Sequence, residues 1–405
     1  MPIVRRMTMS DAVTLPLHMR RNGFHPDPEL ASMRDEEGVR RVPTPFGIDA
    51  WLVSRFSDVR EVLGDATRFS NAAAMSFRPV SDQLSAEQRE RMRAGNLLAF
   101  DPPEHTRLRR ILTPEFTMRR MRRLEPRIHE IVQEHLDAME RTGPPADLVS
   151  AFALPIPSLV ICELLGVPYD DRADFQRRSG RLLDVSLPFE QRTAASLEQR
   201  AYMTDLVKRA QADPGEDMLG MLVREHGDDL STDELTGIAS LLLLAGHETT
   251  SNMLGLGTLA LLRHPDQLDL LKKEPERIGA TVEELLRWLT IVHSGTSKVT
   301  TTDVELSGVR IPAGEVVMCA LPAANRDPHF ISEPDRLDIA RGDLGHLAFG
   351  HGVHHCLGAP LARMEMRIAF PALFERFPGL RETGTAPSFR SFNVVYGLSS
   401  FDVTW

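Results

Sequence analysis

The sequence predicts a mainly α-helical chain with smaller β-sheets near both ends, an α+β fold. Helical patterning dominates from about Pro103 to Leu289, with runs near Met118 to Glu140 and Asp233 to Arg263. Strand-like stretches flank it. Val42 to Phe56, where Pro43, Pro45 and Gly47 precede Trp51-Leu52-Val53, reads as a strand pair with a turn. Lys298 to Met318 alternates around turns at Gly308 and Gly314, and Phe389 to Trp405 again reads as strand. No repeat, low-complexity tract or long Gly/Ser linker marks a boundary.

Length alone allows 405 residues to form one large domain or several smaller ones, and 42% hydrophobic residues are ample for a core. Cys162, Cys319 and Cys356 are far apart and odd in number, which gives no disulfide framework and points to a reducing compartment. The N-terminal run MPIVRRMTMSDAVTLPLHMRR holds no apolar stretch long enough for a signal peptide or anchor. A cytoplasmic chain without a membrane partner is therefore expected. A net charge of -10 argues against nucleic acid as a partner.

Within DPPEHTRLRR, His105 and Arg109 lie four apart on a helix that would begin near Pro103, so they point the same way. Either they belong to a solvated basic face or they hold an anion together. Arg107, Arg109, Arg110, Arg119, Arg120, Arg122 and Arg123 concentrate positive charge in an acidic chain. The longest helix should start at Ser231, with Glu234 completing a capping box, and end before Pro265. Its centre, Ile238 to Ala245, is apolar nearly all round and belongs in a core. A polar island follows, Ala245-Gly246-His247-Glu248-Thr249-Thr250. A glycine, a carboxylate and hydroxyls inside a buried helix cost stability, so either the helix surfaces there or the island has work to do. In EELLR, Glu284 and Arg287 are placed for a local ion pair.

The stretch Phe349-Gly350-His351-Gly352-Val353-His354-His355-Cys356-Leu357-Gly358 sets one cysteine in a glycine-rich loop directly before a helix that Pro360 would open. A helix N-terminus favours thiolate, the form that binds metal. Three readings compete at this point: a buried structural cysteine, a zinc site with His351, His354 and His355, and an axial thiolate on haem iron. Adjacent residues converge poorly on a tetrahedral ion, and no CxxC or HExxH supports zinc.

The run FGHGVHHCLG resembles the haem-binding loop of the cytochrome P450 family of haem-thiolate monooxygenases, with Cys356 in the ligand position. The polar island is similar to the oxygen-binding stretch of that family's long helix, with Glu248 and Thr249 as its acid and alcohol. Glu284 and Arg287 resemble the family's Glu-x-x-Arg motif, with Arg336 in PDRLD as the third member of a structural triad. The resemblance runs from Trp51 to the C-terminus. It implies the cytochrome P450 fold in one catalytic domain over residues 1–405, with 1–40 as N-terminal extension and first helix, a long central helix over haem, and no fused reductase.

By the same resemblance, haem b is held by the Cys356 thiolate beside Ala245, Gly246, Phe349 and Gly358, with its propionates at His105, Arg109, His354 and Lys298. Lys298 stands where the family usually has arginine and lacks its bidentate fork. Thr249 and Glu248 would deliver the protons that splitting dioxygen needs. The substrate pocket would be lined by Met75, Phe77, Leu97, Leu98, Ile291, Val292, His293, Val394 and Val395, with His293 and Tyr396 orienting a polar group. The expected reaction inserts one oxygen atom of O2 into a C–H or C=C bond of a largely apolar small molecule such as a polyketide, macrolide, terpenoid or steroid. No glycine fingerprint opens a βαβ unit, and three scattered cysteines cannot hold an iron–sulfur cluster. Electrons would come from a separate ferredoxin, or flavodoxin, and its reductase, to a monomer. The alternative is a catalytically idle haem protein that activates a partner enzyme.

Overall fold

The computed structural model describes residues 15–44, 49–76, 85–168, 171, 181–294, 296–342 and 345–405. The chain divides into two compact units: Met1–Pro79, Arg263–Cys356 and Phe389–Gly397 form one, and Val80–Leu262, Leu357–Ser388 and Leu398–Trp405 the other.

The first unit is built on a five-stranded sheet, ordered Val39–Pro43, Asp49–Val53, Val316–Cys319, Ser297–Thr300 and Phe69–Ser70. The expected strand pair is its antiparallel hairpin, in register from Val39 opposite Val53 to Pro43 opposite Asp49. The turn at Pro45 and Gly47 lies outside the described residues. Lys298 to Met318 supplies two central strands of this sheet and the small hairpin Val304–Leu306 with Val309–Ile311. That hairpin turns at Gly308, whose φ of 76° only glycine takes freely. The helix Phe56–Gly64 lays Val59, Val62 and Leu63 on a core shared with Val39, Val53, Phe69 and Val317. The first helix, Pro28–Glu36, is capped by the Asp27 side chain.

In the second unit the long helix runs unbroken from Thr232 to Arg263, 32 residues or about 48 Å. Its capping box forms: the Ser231 N–H donates to Glu234 at 2.8 Å, and the Glu234 N–H donates to the Ser231 hydroxyl at 3.2 Å. The first turn lies hard against Ala94-Gly95. A Cβ on Gly237 would come within 1.8 Å of the Ala94 carbonyl oxygen, and one on Gly95 within 1.9 Å of that of Glu234. The helices Met118–Thr142 and Ala359–Arg376 pack together, and Arg376 reaches Asp137, Glu140 and Gln133 across the seam. The C-terminal stretch departs from the continuous strand expected of it. Only Ser388–Phe389, Leu398–Ser400 and Asp402–Thr404 are strands, because Asn393 to Gly397 bends to bond irregular backbone instead. Among the described residues no helix is long and apolar enough to cross a membrane.

Two buried histidines make the first unit sensitive to acid. Burial lowers His18 to about 4 and His293 to about 3. At pH 7 the folded rings are neutral and the unfolded ones largely so. Below the ordinary value of 6.5 the unfolded chain takes up protons that the folded rings refuse, so their stability is full above 6.5 and is lost as pH falls. The Glu365 carboxyl, which burial holds well above the usual range, acts in the opposite sense. The measure is therefore a difference between proteins. Relative to His18→Leu, the parent should lose about 1.4 kcal/mol for each pH unit below 6.5, until the folded ring itself titrates near 4. Parallel urea-unfolding curves for the two proteins between pH 7 and pH 5 would refute this.

Candidate active site

In the first unit the cysteine-bearing loop is held by its own backbone. The Cys356 N–H donates to the Phe349 carbonyl at 2.9 Å, His355 N–H to Gly352 at 3.0 Å, and Gly350 N–H to Leu347 at 2.9 Å. Gly350 and Gly352 take φ values of 71° and 72°. Gly352 could carry no side chain, since its Cβ would lie 2.8 Å from both Gly64 Cα and the Leu63 carbonyl oxygen. Phe349 sits between the rings of His346 and His355 at 6.2 and 6.3 Å, and His354 ends the single turn Gly352–His354.

The three cysteines differ in access. Cys162 and Cys319 are buried, and burial pushes the Cys319 thiol up to about 12, while Cys356 keeps its side chain partly accessible. A Cβ at Gly358 would meet no protein atom within 4 Å, so that side of the loop stays open. An accessible thiol with open space two residues on fits a thiolate-bound flat cofactor.

What fixes this loop is a buried ion pair. Arg287 donates through Nε and Nη2 to the two Glu284 carboxylate oxygens at 2.7 and 2.8 Å, and both side chains have no exposure. The remaining donors reach the carbonyls of Asn325, Pro334 and Arg336. Asn325, also fully buried, donates to Thr290 Oγ1 at 2.8 Å and accepts the Leu347 N–H at 2.7 Å, two residues before Phe349. Arg336 takes part only through its carbonyl. Its guanidinium is 56% exposed and pairs with Glu333, whereas Arg341, 10% exposed, brings Nε within 3.4 Å of Glu284. The second cation beside Glu284 is therefore Arg341, whose other donors reach the Ser332 and Glu333 carbonyls.

Sequence reasoning also passed over Asn325-Arg326-Asp327. Arg326 donates to the Trp288 carbonyl, and Asp327 accepts the Phe56 N–H that opens the helix Phe56–Gly64. Three polar residues in a run next to ALPAA were the available signal. Lys298, buried on its strand, donates to Asn71 Oδ1 at 2.7 Å.

In the second unit the polar island occupies the middle of the long helix. Glu248 and His247 are buried, Ala245 is exposed, and Leu241, Leu244 and Thr249 are half-buried, so one stripe of the helix stays accessible. Thr249 Oγ1 donates to the Ala245 carbonyl at 2.8 Å. Gly246 admits Ile161, whose Cδ1 would lie 2.8 Å from an added Cβ. His247 Nδ1 donates to the Leu243 carbonyl at 3.1 Å, which turns Nε2 toward Glu248 Oε1 at 3.4 Å. The 3.4 Å approach of these two atoms is a proximity without hydrogen-bond geometry. His105 is buried and Arg109 half-buried on the helix Glu104–Leu112. Arg107 on the same helix bonds Glu104 and Glu234.

Of the residues expected around a substrate, Phe77 lies outside the described residues. Met75, Val292 and Val394 are half-buried, Leu97, Ile291 and Val395 buried, and Leu98 exposed. His293 and Tyr396 each commit a donor to the main chain. The His293 Nε2–H donates to the Asn393 carbonyl at 2.6 Å and the Tyr396 hydroxyl donates to the Gly23 carbonyl at 2.7 Å, because each sits where irregular backbone needs a donor.

Comparison with known proteins adds a family. The model described as Cytochrome P450 matches residues 195–395. Cytochrome P450 FAS1 of Rhodococcoides fascians is 50% identical over 402 residues, 98% of this chain and 100% of that protein. Vitamin D(3) 25-hydroxylase of Pseudonocardia autotrophica is 44% identical over 94% of each chain. Among solved structures, CYP105P1 in complex with filipin I superposes with a TM-score of 0.88 at 41% identity, covering 98% of this chain and 99% of that one.

The geometry separates Arg336 from Arg287. Arg336→Ala should change unfolding free energy by less than about 1 kcal/mol, as an exposed pair does. Arg287→Ala should cost about 3–5 kcal/mol, because it strands a buried carboxylate. Equal losses in the two variants by urea denaturation would reject the assignment.

Proposed function

The chain belongs to the cytochrome P450 family of haem-thiolate monooxygenases, and on that premise we propose that it oxidises a largely apolar natural product within one catalytic domain spanning residues 1–405. The supporting observation is the accessible thiol of Cys356 in a loop that the Glu284–Arg287–Asn325 network holds in place. Haem b, held through a cysteine thiolate, supplies the activation of dioxygen. Cys356 Sγ is the proposed ligand. Phe349 and the loop amides would shield and orient the sulfur, Gly358 leaves open space after the loop, and Ala245 and Gly246 are the further cofactor neighbours that family membership implies. His105, Arg109, His354 and Lys298 would take the propionates, and Lys298 Nζ donates to Asn71 Oδ1.

Thr249 and Glu248 handle protons. The Thr249 hydroxyl, parked on the Ala245 carbonyl, reaches a different acceptor by rotation about one side-chain bond. Glu248, buried beside His247 and away from bulk water, is the proposed relay that passes a proton to the Thr249 hydroxyl. Leu241, Leu244 and Ala245 keep that stripe apolar. Met75, Ile291, Val292, Val394 and Val395 of the first unit are the proposed apolar contacts of a polyketide, macrolide, terpenoid or steroid substrate, one of whose C–H or C=C bonds receives an oxygen atom. The idle-activator reading would require neither Thr249 nor Glu248.

Electrons arrive from a separate ferredoxin or flavodoxin with its reductase, to a cytoplasmic monomer. Arg107 and Arg120 already have carboxylate neighbours, Glu104 with Glu234 and Glu115. Arg110, Arg119, Arg122 and Arg123 are exposed, which narrows the proposed docking patch for an acidic partner to these four.

The purified ferrous protein with carbon monoxide should show the red-shifted Soret band of thiolate ligation, and Thr249→Ala should keep that band while diverting most electrons from product to hydrogen peroxide. Unchanged coupling in the variant removes Thr249 from the mechanism. Charge reversal at Arg110 and Arg122 together should slow ferredoxin-driven turnover about tenfold at low salt. Turnover that is indifferent to both the substitutions and ionic strength would move the docking site elsewhere.

A further inference from the structure

Arg21 sits on the short N-terminal hairpin Arg21–Asn22 with His25–Pro26, far in sequence from the Glu-x-x-Arg helix it contacts. Among the described residues no carboxylate pairs with it. Instead Nη1 donates to the Leu289 carbonyl at 3.0 Å and to that of Phe24 at 3.4 Å, and Nη2 donates to the Thr290 carbonyl at 2.7 Å. The guanidinium carbon lies 4.9 Å from the centre of the Tyr396 ring. The positive charge is thus balanced by the negative end of the helix Ile278–Leu289 and by an aromatic face.

The place it holds is unusual. Thr290 follows the last helical residue at φ 36°, a left-handed conformation that a β-branched residue resists. The chain leaving that turn is Ile291, Val292 and His293. The Ile291 carbonyl accepts the Tyr396 N–H at 2.8 Å, Val292 bridges Val395, and His293 bonds the Asn393 carbonyl. The Tyr396 hydroxyl then returns to the Gly23 carbonyl, two residues after Arg21. The contacts close a ring: Arg21 to Thr290, along the chain to Ile291, across to Tyr396, and back through Gly23.

We propose that Arg21 is a positioning residue that sets substrate selectivity, by fixing the left-handed exit from the Glu-x-x-Arg helix and so the placement of Ile291, Val292, Val394 and Val395. This rests on the reading above that these four residues wall the substrate pocket. Division of labour among the arginines at this helix end supports it: buried Arg326 takes the Trp288 carbonyl, buried Arg287 completes the ion pair, and half-buried Arg21 grips Leu289 and Thr290 where the pocket segment begins.

Two probes test this in the full-length holoprotein: imidazole, which reaches the iron without needing the pocket walls, and 4-phenylimidazole, whose phenyl ring must fit between them. Dissociation constants come from the shift of the Soret band. In Arg21→Met the constant for 4-phenylimidazole should rise about tenfold while that for imidazole stays within about twofold. Arg21→Lys should recover part of the difference, because it restores the charge at the helix end but not the two-pronged grip. An unchanged ratio of the two constants, or an equal loss of both, overturns the proposal. If Arg21→Met does not fold, Tyr396→Phe cuts the ring at the Gly23 carbonyl and should move the ratio the same way; an unmoved ratio there overturns it as well. Absence of any imidazole response in the parent protein would instead defeat the haem reading.

Discussion

A carboxylate and a guanidinium with no exposure to water, Glu284 and Arg287, set the terms for the first unit of this chain. Moving two charges out of water costs several kcal/mol per ion, and their attraction offsets that only when every remaining donor and lone pair is used. The arrangement meets this condition. Three main-chain carbonyls take the spare guanidinium hydrogens, and the Asp338 N–H and the Arg341 side chain approach the carboxylate. Three stretches, at Asn325, Pro334 to Arg341 and Leu347, are thereby tied to one helix. The cysteine loop is among them, since Asn325 links Arg287 to the Leu347 amide.

The same economy recurs at other arginines of that unit. Arg21, Arg34 and Arg326 all spend their donors mainly on carbonyl oxygens at helix ends or bends. A planar fork suits this role because one side chain can satisfy two or three carbonyls left over where a helix stops. The chain is acidic overall, yet its enclosed positive groups act as internal fasteners, while exposed arginines such as Arg110 and Arg122 remain for other uses.

How much of this was legible beforehand follows from the range of each interaction. The capping box at Ser231 and Glu234, the stop before Pro265, the hairpin ending at Val53 and the Glu284–Arg287 spacing are local, and each could be read from residues a few places apart. The α+β architecture follows from them. Partners chosen by the folded backbone were not legible. Nothing in PDRLDIAR says that Arg336 faces outward while Arg341 turns in, and nothing in the string around Tyr396 announces a carbonyl at Gly23. Gly246 shows the same limit: read alone it suggests a gap for a ligand, and in the folded unit it also makes room for Ile161. His247 was visible in the island but acquired a role only when Leu243 fixed its tautomer and Glu248 lay beside it.

The crossing of Gly95 over Gly237 carries a lesson for anyone reshaping this scaffold. Main chain touches main chain there, so the segment leading to Leu97 and Leu98 has no cushion of side chains against the first turns of the long helix. Transplanting that loop from a relative succeeds only if the donor brings bare α-carbons at both points, and library designs that diversify either one will mostly harvest misassembled protein.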